Sequence, residues 1–140
     1  MRVRLFGEFT VRRWPDPPWV VIWDPLGFQD EGSQTFLTFW AWQDVSPRRL
    51  HRWARELAPV WAWCRLMGVD WQDATMETWA QWARGHVQAP DDRPRVAHQV
   101  ETLYRFYAFW HWYDPHRVPR QPWPRDRRER ERWLYAITDP

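Results

Sequence analysis

The chain has 140 residues, a net charge of +2 and 44% hydrophobic residues, and 15 of its residues are Trp, more than the 4 Tyr and 7 Phe together. That hydrophobic content supports a real core and excludes wholesale disorder. With a mean hydropathy of −0.80, and charges breaking every apolar run short of the roughly 18 residues a span needs, the chain is not expected to enter a membrane. All 20 basic residues are Arg, with no Lys and no Asn. Both missing residues have AT-rich codons, so part of the Arg and Trp excess is expected to reflect coding bias. The start, Met1-Arg-Val-Arg, lacks the apolar stretch of a signal peptide and points to the cytoplasm. A single cysteine, Cys64, offers neither an internal disulfide nor a thiolate zinc cluster.

Residues 1–32 read as an extended N-terminal extension. Val3, Leu5, Phe9 and Val11 alternate around Gly7, and the run Trp19-Val20-Val21-Ile22-Trp23 closes at Asp24-Pro25-Leu26-Gly27. Two short strands able to pair as a β-hairpin are expected there. Residues 33–112 switch to helical spacing and divide into four helices. Ser33 is the expected cap of the first, which runs to about residue 43 with Phe36, Leu37 and Trp40 inward. The second opens on Ser46 as N-cap with Pro47 at the first helical position and Val45 placed to staple onto Leu50. Its stripe, Leu50, Trp53, Ala54, Leu57, Trp61 and Cys64, lies within about 100° of a helical wheel. Pro59 should kink or split it, and Gly68 should end it. The third follows Thr75, buries Met76, Trp79, Ala80 and Ala83, and frays at Gly85. The fourth runs from near Asp92-Arg93-Pro94 to about residue 112, with Val96, Val100, Leu103, Tyr107 and Trp110 inward. Residues 113–124, holding Pro115, Pro119, Pro122 and Pro124, read as a linker. Residues 125–140 read as a solvated, charged helical tail with i, i+4 pairs Arg125–Glu129 and Arg127–Glu131.

The polar faces of two helices carry the functional signal. Arg48, Arg52 and Arg55 lie opposite the Leu50–Leu57 stripe, and Arg48 and Arg49 fall in the first turn, where the helix dipole disfavours positive charge unless an anion is present. On the fourth helix Arg95, His98, Thr102 and Arg105 share an arc of about 80° without an acid, and Arg93 adjoins them. Guanidinium groups bind phosphates and guanine edges bidentately, and a helix fits the major groove. Arginines that merely cover an amphipathic helix give the same pattern.

These residues carry a resemblance. The stretch Ser46-Pro-Arg-Arg-Leu-His-Arg-Trp-Ala-Arg-Glu-Leu, ending in Trp63 and Gly68, resembles the second helix of the core-binding domain of tyrosine recombinases, the phage integrases. That family shows Ser, then Thr, Tyr and Leu, with a closing Trp-Leu and Gly. Ser46, Arg49, Trp53, Leu57, Trp63 and Gly68 align with this pattern without a gap. Residues 69–75 are like the loop into the family's short third helix. Leu103-Tyr104-Arg105-Phe106-Tyr107-Ala108-Phe109-Trp110 looks like its Leu-x-x-x-Phe-Tyr-x-Phe helix, and the segment from Pro115 to Pro124 resembles its linker. The segment through Trp23 and the following turn is similar to the upstream extension of integrases related to site-specific transposases. The likeness covers roughly residues 20–124 and departs at Arg49, where the family has Thr, and at Pro59, inside a helix the family leaves unbroken.

The resemblance implies an all-α, SAM-like four-helix bundle that packs on double-stranded DNA beside other recombinase protomers, with Phe39 and Trp42 near such a neighbour. Its DNA contacts would fall on Ser46, Arg48, Arg49 and Arg52, and on Arg93, Arg95, His98, Gln99 and Thr102, with Arg105 beside them. It also implies that the catalytic residues lie in a second domain beyond the linker, for which residues 125–140 have no room. Tyr104, Tyr107, Tyr113 and Tyr135 are then core or surface groups, and the chain is expected to bind DNA without cleaving it. No cofactor or metal is expected, since the five histidines show no ligand spacing. The alternative is a helical protein- or ligand-binding module whose surplus aromatics, among them Trp14, Trp19, Trp42, Trp63, Trp82 and Trp112, line a groove.

Overall fold

The two expected strands pair. In a computed structural model, which describes residues 8–139, β1 (Thr10–Arg13) and β2 (Val20–Trp23) form an antiparallel hairpin with Thr10 opposite Trp23 and Arg13 opposite Val20. Val3, Leu5 and Gly7 lie outside the described residues. The rest is mostly helical, in keeping with an all-α class carrying one small sheet. The chain divides into two compact units, Met1–Val69 and Asp70–Pro140. The sequence places divisions after residues 32, 112 and 124 instead.

In the N-terminal unit, β2 packs on α1 (Glu31–Trp42) and α2 (Pro47–Met67). Its Val20, Val21 and Ile22 join Phe36, Leu37, Leu50, Trp53, Leu57, Val60 and Trp61 in the core. Each such side chain contributes about 1.5–3 kcal/mol on burial. The cap of α1 is Asp30 and not Ser33: the Asp30 carboxylate accepts from the Ser33 N–H at 3.1 Å. Burial pushes the Asp30 carboxyl above its ordinary range, against the hydrogen bonds from Ser33. Ser33 is itself buried, and its Oγ accepts from the Trp61 indole N–H at 2.7 Å. A buried indole needs an acceptor, and Ser33 supplies it. Gln34 extends the hairpin edge, its Oε1 accepting from the Ile22 N–H at 2.9 Å.

Ser46 caps α2, its Oγ accepting from the Arg49 N–H, and Gly68 ends it in the left-handed region at φ +67°. Pro59 does not split the helix, which runs unbroken through 21 residues. Proline inside a helix costs about 3 kcal/mol or more, and here the buried stripe continues on both sides of it, from Leu57 to Val60 and Trp61. The Asp24–Gly27 turn is closed by Asp24, whose Oδ1 accepts from the Leu26 and Phe28 N–H groups.

In the C-terminal unit, Thr75 caps α3 (Met76–His86) through a reciprocal capping box with Thr78. A 3-10 turn, Pro90–Asp92, leads into α4 (Arg93–Tyr113). All five inward residues expected on α4 are buried, but so are Gln99, Thr102, Phe106 and Phe109, so the helix is enclosed around much of its girth. Trp79 and Ala83 are buried on α3 as expected, whereas Met76 is half-buried and Trp82 is fully buried.

The reading of residues 113–140 as linker and solvated tail requires correction. Val118 and Trp123 are buried, and Trp123 stacks on Trp79 with ring centres 5.9 Å apart. Arg117 sits over the Trp110 ring and donates to the Gln72 side chain. Helix α5 (Arg127–Thr138) packs against α3 and α4, burying Leu134 and Arg130. Proline excludes a helix from residues 113–124 but does not exclude packing.

Candidate functional site

The first turns of α2 and the hairpin loop of the N-terminal unit enclose an open cleft of about 1120 Å³. Helix α2 contributes Ser46, Arg48, Arg49, His51, Arg52, Arg55 and Glu56, and the hairpin contributes Arg13, Trp14 and Trp19. Their placement follows from local rules. Arg48, His51, Arg52 and Arg55 are spaced i, i+3, i+4 and i+7 and so share the face opposite the buried stripe. Pairing of Arg13 with Val20 brings both ends of the hairpin loop to the same place.

Five guanidinium groups line the cleft, while its one lining carboxylate among the described residues is Glu56, 3.8 Å from Arg52. Arg49 lies with its guanidinium 5.1 Å from the centre of the Trp53 ring, a contact that holds the side chain near the surface of the helix. The first turn of α2 contains no acid, so its exposed N–H dipoles add to the positive potential. Ser46 accepts from a backbone N–H and keeps its hydroxyl hydrogen to donate outward. The arrangement suits a polyanion, each arginine presenting a planar fork to a phosphate.

His51 is half-buried, and its Nδ1 is enclosed with no hydrogen-bond partner among the described residues. Burial, together with the charges of Arg13 and Arg55, holds its imidazolium below the ordinary range. Below about pH 6.5 the unfolded chain therefore takes up a proton that the folded one resists, so His51 makes stability fall as pH drops through that window. A phosphate in the cleft would offset the arginine charges and raise this pKa again. Anion binding is then expected to take up a proton and to weaken as pH rises through the imidazole's titration range. Titration calorimetry in buffers of different ionisation enthalpy reads that uptake directly, and His51→Gln should abolish it. Equal proton uptake by His51→Gln and the parent would assign it to another group.

The residues expected to contact DNA fare differently on the two helices. Ser46, Arg48, Arg49 and Arg52 are exposed and come together in the cleft. Those on α4 do not form a comparable face. Arg93 donates through Nε and a terminal nitrogen to the Thr138 hydroxyl and carbonyl, and lies 4.8 Å over the Tyr135 ring. Arg95 is exposed but donates to the His86 carbonyl and pairs with Asp92 at 3.7 Å. Hydrogen bonds from the Gln88 and Ala89 N–H groups hold the Asp92 carboxyl below its ordinary range, so this partner stays ionised. His98 lines a small groove between α4 and α5. Gln99 and Thr102 are buried and Arg105 is half-buried. Helix α5, read from sequence as a solvated tail, takes up Arg93 and forms the other wall of the groove that His98 lines.

The sequence places Trp14 and Trp19 in an aromatic groove and not beside the arginines, and it does not single out Arg13 or His51. His51 was legible, being on the Arg48–Arg55 stripe, and the Arg12-Arg13-Trp14 run beside the proline-rich turn was a weaker signal. Among the described residues no helix is long and apolar enough to cross a membrane, and no three His, Cys, Asp or Glu side chains converge as a metal site. Comparison with models of known protein families, with curated proteins and with solved structures gave no significant match.

Proposed function

We propose that the protein binds double-stranded DNA through the cleft between the start of α2 and the hairpin, as the core-binding part of a tyrosine recombinase and without cleaving the DNA. The observation that carries the reading is the cleft's charge: five arginines against one carboxylate, which Arg52 already engages. Recombinase membership and a SAM-like four-helix arrangement belong to the proposal. They rest on the pattern Ser46, Arg49, Trp53, Leu57, Trp63 and Gly68, and other protomers on the same DNA site belong with them. The family's contact on α4 is replaced in this reading by Arg13, Arg55 and the hairpin loop. An aromatic groove for an apolar ligand has Trp14 and Trp19 in its favour, but it would leave five guanidinium groups facing an uncharged guest.

A duplex titration against salt tests the reading. Neutralising four phosphates, one for each arginine other than Arg52, gives a slope of about −3.6 in log affinity against log salt, or roughly 150-fold weaker binding at 200 mM than at 50 mM. Absence of duplex binding at about 50 mM salt, where such contacts are strongest, would refute it.

A further inference from the structure

The hairpin loop holds two large apolar rings on the wall of a charged cleft. Trp14 is 43% exposed and Trp19 36% exposed, and both line the cleft beside the arginines. Their backbone is held firmly: the Trp14 N–H donates to the Trp19 carbonyl at 2.9 Å, and the Trp19 N–H donates to the Asp16 carbonyl at 2.7 Å. Trp23 meets the Trp14 ring edge-on at 6.3 Å. Trp19 sits at φ +69°, a conformation a bulky L residue rarely adopts. A residue kept in that region by its surroundings directs attention to what its side chain does. Here the side chain leaves the core, while the adjacent Pro18 and Val20 are buried.

Arginines alone account for attraction to a phosphate backbone, but they give indoles nothing to do. An intact duplex covers the faces of its bases and offers a cleft only phosphates and groove edges. An unpaired base presents its π-face, and stacking on an aromatic side chain is sequence-tolerant and additive with phosphate contacts.

We infer that Trp14 and Trp19 make the cleft selective for DNA with unpaired bases, the indoles stacking on one or two extruded bases while Arg48, Arg49 and Arg55 hold the flanking phosphates. This rests on the nucleic-acid reading above and adds the structure of the preferred substrate. The loop acts as a stacking platform at a bulge or duplex–single-strand junction, and an uninterrupted duplex is the weaker ligand.

The test compares three fluorescent DNA probes of equal phosphate number on the full chain at fixed salt: a blunt duplex, a duplex with a two-nucleotide bulge, and the same bulge built from abasic sites. The expected order is bulge tightest, by roughly 5- to 150-fold per stacked base, with the abasic bulge falling to the level of the blunt duplex. Removing the base from the DNA leaves the protein untouched, so this comparison does not depend on a variant that folds. Trp14→Ala with Trp19→Ala should bring bulge binding down to that variant's own duplex level. Equal affinity for bulge and abasic bulge overturns the stacking inference while leaving the duplex reading standing. Failure to bind any of the three overturns both.

Discussion

Replacing Arg130 by Ala is expected to destabilise the C-terminal unit by about 3 kcal/mol, a large share of the stability of an ordinary small domain. The side chain is only 6% exposed and is fully committed. Its Nε and one terminal nitrogen donate to both oxygens of Glu101 at 2.6 and 2.7 Å, and its other terminal nitrogen donates to the carbonyls of Pro124 and Arg125 at 2.7 and 2.9 Å. The guanidinium also lies 3.8 Å over the Tyr104 ring. Burial opposes its charge, but Glu101 outweighs that and holds it more firmly protonated than an ordinary arginine. Truncation would leave the partly buried Glu101 carboxylate only the exposed Arg127, 3.9 Å away, and would strand two carbonyls, and that penalty is the source of the effect. Glu101 retains some solvent access, which sets the value at the lower end of the range for breaking a buried pair. Arg130→Lys keeps the charge but loses the fork, so it should fall between. Arg130→Met with Glu101→Leu should recover much of the loss, because no charge is then left uncompensated. Denaturant unfolding with hydrogen exchange across α5 would measure all three, and a loss under 1 kcal/mol for Arg130→Ala would contradict the account.

The same residue marks where the sequence stops being legible. Local rules identified α2 in detail, because Ser46, Pro47 and Gly68 act on their immediate neighbours. The apolar stripes were equally readable: Trp53, Trp61, Trp79 and Trp110 are all buried. By the same local rules the run at residues 125–133 reads as a solvated face, and one expected pair, Arg127 with Glu131, is present at 3.3 Å. What ties α5 down are distant partners, among them Glu101, which lies 29 residues from Arg130 in the chain. The cap of α1 is a similar case. Ser33 is the expected cap, but its Oγ accepts from the indole of Trp61, 28 residues away, and Asp30 caps the helix instead. The cleft combines both kinds of information. Its α2 wall was visible as a helical stripe, whereas the hairpin wall depended on a strand register and a loop conformation that no periodicity encodes. The surplus tryptophans divide on the same line: those on stripes are foreseeable as core, whereas Trp14 and Trp19 are foreseeable only as groove aromatics and not as neighbours of the arginines.

Reversing the charge at the start of α2 should separate binding from stability more sharply than any other change. In Arg48→Glu with Arg49→Glu, the two proposed phosphate contacts become repulsions. Duplex affinity at about 100 mM salt is expected to fall at least 100-fold, and the salt slope should shrink by about 1.8. Stability should move little. Both positions are exposed, and a negative charge in the first turn of a helix contributes roughly 0.3–1 kcal/mol where a positive one costs it. Arg49 stands three residues after the N-cap Ser46, and Ser46 already accepts from its N–H. Arg49→Glu would therefore complete a capping box that the natural sequence forgoes. Against this stands the lost contact with Trp53, about 0.5–1 kcal/mol. Thermal unfolding should thus stay near the parent value while binding collapses. Arg93→Ala should do the reverse, losing its bonds to Thr138 and lowering stability while leaving duplex affinity within about threefold. If instead the α2 reversal spares duplex affinity and Arg93→Ala removes it, the binding face lies on α4, and arginines placed against the helix dipole are there for some purpose other than an anion.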